Sequence, residues 1–266
     1  MEFLKTFKRR SFLNELVYIS LNVGLAAVLL IVIRVTGSPW PAFGLVLLSK
    51  WRVLAVRPRF WFANVQADLV SLIVSLGFVI LLYGINQTSG MDTKVFVTQI
   101  LLTIFYIGWL LFLRPQSKRK YIIAQAGVAL FVGVTAVYTL SYNWTASLAV
   151  LLMWLIGYAT ARHVLNNYDE SHVALLSLSW GLVFAEIGWL AYHWTMAYQL
   201  PILTNVLVPQ ISIIALCLGF LAQQVYDSYS RYQKVRFTDI ILPLLFTIGI
   251  IAVLVFAFNS VSVQTI

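Results

Sequence analysis

Apolar runs of about 18–20 residues, separated by short polar or basic segments, recur along the whole chain. Runs of this length favour helices that cross a bilayer, because about 20 helical residues span its hydrocarbon core. The pattern predicts an all-α, polytopic integral membrane bundle, with residues 1–266 as a single transmembrane domain and no soluble domain. Nine spans are predicted, at about 16–33, 35–49, 64–84, 95–113, 121–140, 145–161, 171–194, 202–225 and 239–259.

The second predicted span, residues 35–49, is short. As a helix it rises only about 22 Å, so a re-entrant loop and a short crossing helix both fit its length. The basic residues favour the crossing. Lys50 and Arg52 belong with the basic N-terminus on the cytoplasmic side, and an even number of crossings must separate the two clusters.

The lysines and arginines predict an orientation with the N-terminus inside and the C-terminus outside. With nine spans, only Arg34 and Lys94 of the 18 basic residues fall outside, as the positive-inside rule requires. Topology and contact of the inner loops with anionic lipid headgroups therefore explain the net charge of +9, and nucleic acid is not an expected partner. We expect an integral protein of the plasma membrane.

Composition and loop length narrow the chemistry. The chain is 61% hydrophobic and 10% charged, far from the balance of a soluble domain. Its one cysteine, Cys217, excludes an intrachain disulfide. Short loops leave no soluble catalytic domain, and the chain has no phosphate-binding loop, zinc-protease motif or nucleophile elbow. No catalytic residue and no cofactor is predicted. The absence of a recognisable catalytic motif favours a protein that is not an enzyme.

Glu186 lies near the middle of the predicted span 171–194, where a charge costs a few kcal/mol. The polar residues of this span, His172, Ser179, Glu186 and His193, are each seven residues from the next. Residues at this spacing form one slowly drifting stripe along a helix. We expect the stripe to face other helices or a wet cavity and not lipid.

Gln210, in the next span, lies at about the same depth as Glu186, some 13 Å from the outer turn. Pro209 has no N–H, so the carbonyl of Asn205 loses its helical donor. We expect Glu186, Gln210 and this carbonyl to converge as a substrate or proton site, on the helix that also carries Ser179 and His193.

A metal site is not predicted. His172 and His193 are separated by about 31 Å along one helix, whereas zinc ligands lie about 2 Å from a common ion. A second set, His163, Asp169, Glu170 and His172, matches no metal-binding spacing.

Asp68 is a second acidic residue in a predicted span, near the inner end of 64–84. A carboxylate at that depth can reach the interface or find a cation. The sequence predicts that Asp68 reaches the interface or pairs with Arg57 or Arg59.

Three functions fit this sequence. The leading one is a small permease or carrier, proton-coupled through the Glu186 carboxyl. The second is a non-catalytic scaffold or accessory subunit, which predicts membrane protein partners and an exposed helix face. The third is an enzyme acting on a lipid-borne substrate at the membrane interface, which predicts acids or histidines gathered there and basic loops that hold a phosphate.

Overall fold

Nine helices and one short pair of strands make up the part of the chain that the computed structural model describes, residues 2–51, 57, 61–89, 93–141, 144–168, 170–194, 197–199 and 207–257. In chain order the elements are α1 (Glu2–Thr36), α2 (Trp40–Ser49), α3 (Trp61–Ser89), α4 (Thr93–Gly108), α5 (Arg119–Leu140), α6 (Ala146–Leu165), α7 (Val173–Trp194), β1 (Ala197–Gln199), β2 (Leu207–Pro209), α8 (Gln210–Tyr232) and α9 (Phe237–Ala252). Two helices, α4 and α9, continue as π-helical turns over Trp109–Leu113 and Val253–Ala257.

Eight of these helices are long and apolar enough to cross a membrane, and α2 is the short one. The prediction of an all-α polytopic membrane bundle with a short second helix is therefore confirmed. The strands β1 and β2 form a small antiparallel pair between α7 and α8, with Tyr198 opposite Val208. The predicted orientation and the plasma membrane location stay predictions.

Side-chain contacts show how the helices alternate in direction. Tyr18, at the middle of α1, donates a hydrogen bond to the carbonyl of Leu110 beyond the end of α4. Conversely, Arg34 near the end of α1 lies 4.3 Å from the ring centroid of Phe96 near the start of α4. The two helices are therefore antiparallel.

The end of the bundle that carries Arg119, Arg162 and Arg231 is called the basic end. Gln66 near the start of α3 donates to the Tyr158 hydroxyl near the end of α6. The Gln125 amide near the start of α5 donates to the carbonyl of Leu113. Thus α3, α5, α7 and α9 begin at the basic end, and α4, α6 and α8 finish there.

The short helix α2 runs from the end of α1 towards the basic end of the bundle. Helix α1 ends far from the basic end at Gly37, whose φ of +59° and hydrogen bond to the Ile33 carbonyl terminate the helix. Helix α3 begins at the basic end, and Lys50 at the end of α2 lies beside Asp68 in the first third of α3. Helix α2 has 10 residues, so its length is about 15 Å.

Lys50, at the C-terminal end of α2, pairs with Asp68 on α3. Its Nζ lies 2.5 Å from Asp68 Oδ2 and 2.8 Å from Ser71 Oγ, and the Lys50 side chain is only 8% exposed. The prediction that Asp68 reaches the interface or pairs with Arg57 or Arg59 did not include Lys50, the partner that the structure shows; Arg59 lies outside the described residues. Because α2 is short, its end lies beside the first third of α3, within reach of Asp68.

Small residues bring α6 and α7 into close contact. A Cβ atom at Gly157 would lie 2.6 Å from the Cβ of Phe184, which is fully buried, and one at Gly188 would lie 2.8 Å from Met153. The Tyr138 hydroxyl on α5 donates to the Gly188 carbonyl at 2.8 Å. Helices α5, α6 and α7 therefore form one tightly packed group.

Helix α8 packs on the other side of α5 and against α9. Thr135 on α5 donates to Ser212 on α8 at 3.0 Å, and Thr247 on α9 donates to the Cys217 carbonyl at 3.5 Å. Since α7 packs chiefly on α6, and α8 packs chiefly on α5 and α9, a space remains between α7 and α8.

Candidate functional site

An apolar cleft of about 630 Å³ occupies the space between α5, α6, α7 and α8. Large side chains such as Phe131, Trp180 and Phe220 form its walls, and Gly127 and Ala222 leave room between them. The cleft runs about 15 Å along α8, from Leu216 to Tyr226 near the basic end. Its volume is within the range of about 300–1,000 Å³ that is typical of small-molecule sites.

Few polar groups line the cleft. Thr160 satisfies its hydroxyl within α6 by donating to the carbonyl of Ile156 at 2.8 Å. Gln223 makes no side-chain hydrogen bond with any described residue, and Tyr226 turns its hydroxyl towards the basic end. The interior therefore suits an apolar chain, with Gln223 and Tyr226 as the polar groups nearest its mouth.

At the mouth, Tyr226 is hydrogen-bonded to Glu170, in the segment that precedes α7. The Tyr226 hydroxyl donates to Glu170 Oε2 at 2.5 Å, and the backbone N–H of His172 donates to Glu170 Oε1 at 3.1 Å. These donors stabilise the carboxylate, so they lower the pKa of Glu170 from its ordinary value. Glu170 thus joins the start of α7 to the end of α8 as a charged acceptor.

Next to Tyr226, two arginines converge on Asp227. Arg231 Nη2 lies 2.6 Å from Asp227 Oδ2, and Arg119 at the start of α5 contacts Oδ1 of the same carboxylate. The Arg119 guanidinium also lies 3.9 Å from the ring centroid of Tyr168. The two guanidinium groups balance the carboxylates of Asp227 and Glu170, and the exposed Lys118 and Lys120 make this end net positive.

The predicted site on α7 is arranged differently from the expectation. His172, Ser179, Glu186 and His193 are all exposed, and the stripe faces neither the cleft nor another helix of the described ranges. The reason lies on the opposite side of α7. Phe184 packs against α6 together with Ser177, Gly181, Gly188 and Ala191, and a residue two positions after Phe184 points about 200° away around the helix.

Glu186 and Gln210 are not brought together. Gln210 is buried at the start of α8, whereas Glu186 is exposed, and no hydrogen bond joins them. Asn205 lies outside the described residues. Glu186 forms no ion pair or hydrogen bond with any described residue.

The second set of possible metal ligands, His163, Asp169, Glu170 and His172, is also not brought together as one site in the part of the chain that the structure describes. His163 is hydrogen-bonded at 2.8 Å to Gln125 Oε1 on α5, and Glu170 accepts from Tyr226. Asp169 lies outside the described residues. Within the described ranges, no group of three or more His, Cys, Asp or Glu side chains could hold a metal ion.

Sequence reasoning missed the cleft and the cluster at its mouth. Arg119, Glu170 and Asp227 come from three segments that lie far apart along the chain, and each alone is ordinary for a membrane interface. The only local signal is that Tyr226 and Asp227 end an otherwise apolar span next to Arg231. Comparison with protein-family models, curated proteins and solved structures gave no match for this chain.

Proposed function

We propose that this protein is a carrier that binds a lipid-borne anionic amphiphile, with the apolar tail in the cleft and the head group at the basic end. The observation that carries the proposal is that the apolar cleft lies next to the arginine cluster. The apolar cleft of about 630 Å³ reaches Tyr226, and the next residue, Asp227, is held by Arg119 and Arg231. An amphiphile has the same order of parts, an apolar chain joined to a charged group.

The cleft positions the lipid tail but contributes little to its binding free energy. Lipid tails are as apolar as the side chains of a bundle, so moving a tail from bilayer to cleft gains little hydrophobic free energy. What the cleft offers is a fixed position between α7 and α8, which a tail can enter sideways from the membrane. Selectivity must then come from the head group.

The arginine cluster is suited to an anionic head group. Arginine presents several N–H donors in a planar fork that matches phosphate and carboxylate oxygens. Asp227 uses only some of the donors of Arg119 and Arg231, and the Arg119 side chain is 42% exposed. Tyr168 lies under its guanidinium and holds the plane in place.

This proposal keeps the carrier class but moves the substrate site from Glu186 to the cleft. Glu186 is on the outward face of α7, whereas Leu176 and Trp180 of the same helix line the cleft. The basic end, which the positive-inside rule predicts to be cytoplasmic, is then the side at which the head group is held.

The test is native mass spectrometry of the protein reconstituted with equimolar phosphatidylglycerol and phosphatidylcholine of the same chain length. We expect the wild type to retain phosphatidylglycerol in preference. Arg119→Gln should weaken that retention by about 10- to 100-fold, because a hydrogen bond to a charged group is worth about 1.5–3 kcal/mol. The variant should weaken retention of phosphatidylcholine less, because its choline cation offsets the charge of its phosphate.

A second variant tests the tail site. Ala222→Phe fills the cleft and should abolish retention of both lipids, whereas Ala174→Phe adds the same ring to an exposed position of α7 outside the cleft and should behave as the wild type. Equal retention of the two lipids by the wild type, or undiminished retention by Ala222→Phe, would contradict the proposal.

A further inference from the structure

The outward face of α7 carries a continuous seam of exposed residues, at alternating spacings of three and four positions. Leu175, Leu182 and Trp189 are 65%, 60% and 54% exposed, and the polar stripe alternates with them. The residues of this α7 seam are His172, Leu175, Ser179, Leu182, Glu186, Trp189 and His193.

This spacing is the one by which helices pair along their length. Alternating steps of three and four residues place side chains on one face, where each inserts between residues of a partner helix. The described part of the chain supplies no such partner, because α7 uses its opposite face against α6.

Exposure of the α7 seam to lipid without a partner helix is energetically costly, because the seam contains Glu186. Glu186 is eight residues from Trp194, about 12 Å from the nearer end of α7, which is farther than its side chain extends. A polar group facing hydrocarbon without a partner is disfavoured by several kcal/mol. A second helix that carries a hydrogen-bonding group at this level would remove most of that cost.

We propose that the α7 seam packs against the same seam of a second copy of this chain. Two copies inserted in the same direction are related by a two-fold axis along the membrane normal, so their α7 helices run parallel. In such an interface each seam residue meets its own counterpart.

The seam is complementary to itself. The serine hydroxyl, the neutral imidazole and the neutral carboxyl each both donate and accept hydrogen bonds, so Ser179, Glu186 and His193 can each pair with their own counterparts. The leucine and tryptophan positions form apolar layers between these polar ones. A basic partner helix would satisfy Glu186 but would offer nothing specific to Ser179 and His193.

This inference does not rest on the proposed amphiphile. The cleft uses Leu176 and Trp180, and neither belongs to the α7 seam. Loss of lipid binding and loss of pairing can therefore be observed separately.

Cysteine cross-linking tests the geometry. In a Cys217→Ala background, which removes the one native cysteine, Leu182→Cys should give a disulfide-linked dimer on oxidation in native membranes. Leu245→Cys on α9 is the matched control, since both leucines are 60% exposed and both lie about 12–14 Å from the basic end. We expect no dimer from Leu245→Cys.

Equal cross-linking at the two positions, no dimer from Leu182→Cys, or a product of another mass would overturn the pairing of two copies. The role of the carboxyl is tested by energy transfer between labelled copies in vesicles. Glu186→Leu should lower the association constant by about threefold to tenfold, as expected for one interhelical hydrogen bond, and Glu186→Gln should leave it close to the wild-type value. Association by Glu186→Leu as tight as that of the wild type would refute the hydrogen-bonded pairing.

Discussion

Gly157 allows α6 and α7 to approach closely, and replacing it should separate them. A Cβ atom there would lie 2.6 Å from the Cβ and 2.8 Å from the Cγ of Phe184. Phe184 cannot easily move, because it is fully buried and the helices are also close on either side of it, where a Cβ atom at Gly181 or Gly188 would lie 3.0 Å from Trp154 or 2.8 Å from Met153. We therefore expect Gly157→Ala to strain the α6–α7 interface.

The size of the effect follows from these distances. Non-bonded carbon atoms prefer about 3.5–4.0 Å, so the added methyl group must push the helices apart by about 1 Å. Overpacking of this kind costs about 1–3 kcal/mol. Alanine also favours a helix over glycine by about 1 kcal/mol, and this gain must be separated from the strain.

Gly24→Ala provides the reference, because Gly24 lies within α1 and a Cβ atom there would meet nothing within 4 Å. The two variants share the helix-propensity gain, so their difference isolates the strain. At about 2–4 °C per kcal/mol, Gly157→Ala should unfold roughly 2–12 °C below Gly24→Ala.

The native thiol supplies the assay. Cys217 is the one cysteine of the chain and is buried, so a maleimide dye that fluoresces on reaction reports unfolding during heating in detergent. Equal unfolding midpoints for the two alanine variants would refute the close packing of Gly157 on Phe184.

Three further predictions use the same thermal assay. Asp68→Asn should lower the midpoint, because it leaves the buried Lys50 ammonium without its counter-charge, and Lys50→Met with Asp68→Leu should recover part of the loss. Gln99→Met should leave the midpoint unchanged or raise it, because it removes a fully buried amide whose Oε1 accepts no hydrogen bond from the described residues; a clear decrease would contradict this. Tyr226→Phe should be less stable than the wild type at neutral pH, and the difference should vanish as the pH falls through the lowered pKa of Glu170, because protonation ends the charge-assisted bond.

The sequence alone determined the class of this protein. Its apolar runs leave no alternative to membrane-crossing helices, because a helix satisfies its own backbone hydrogen bonds where no water can. Pro39 and Gly37 mark the break between α1 and α2, so even the short second helix could be read from local chemistry.

Tertiary structure decided which face of each helix meets a neighbour. On α7, four polar residues spaced seven positions apart predicted an inward face. The small residues around Phe184, on the opposite side of the helix, instead form the close contact with α6. Periodicity locates a stripe but does not say which side of a helix another helix will cover. That choice depends on how closely two backbones can approach, which is a property of the pair of helices.

The candidate site also depends on how the helices pack together. Arg119, Glu170 and Asp227 are ordinary interfacial residues until α5, α7 and α8 finish or begin at the same end of the bundle. The cleft beside them exists because α7 and α8 pack on different partners. The sequence determined which segments lie in the membrane, since burial in lipid is a property of each segment. The packing of α5 to α8 determined the cavity and its charged mouth, since both depend on residues distant in the chain.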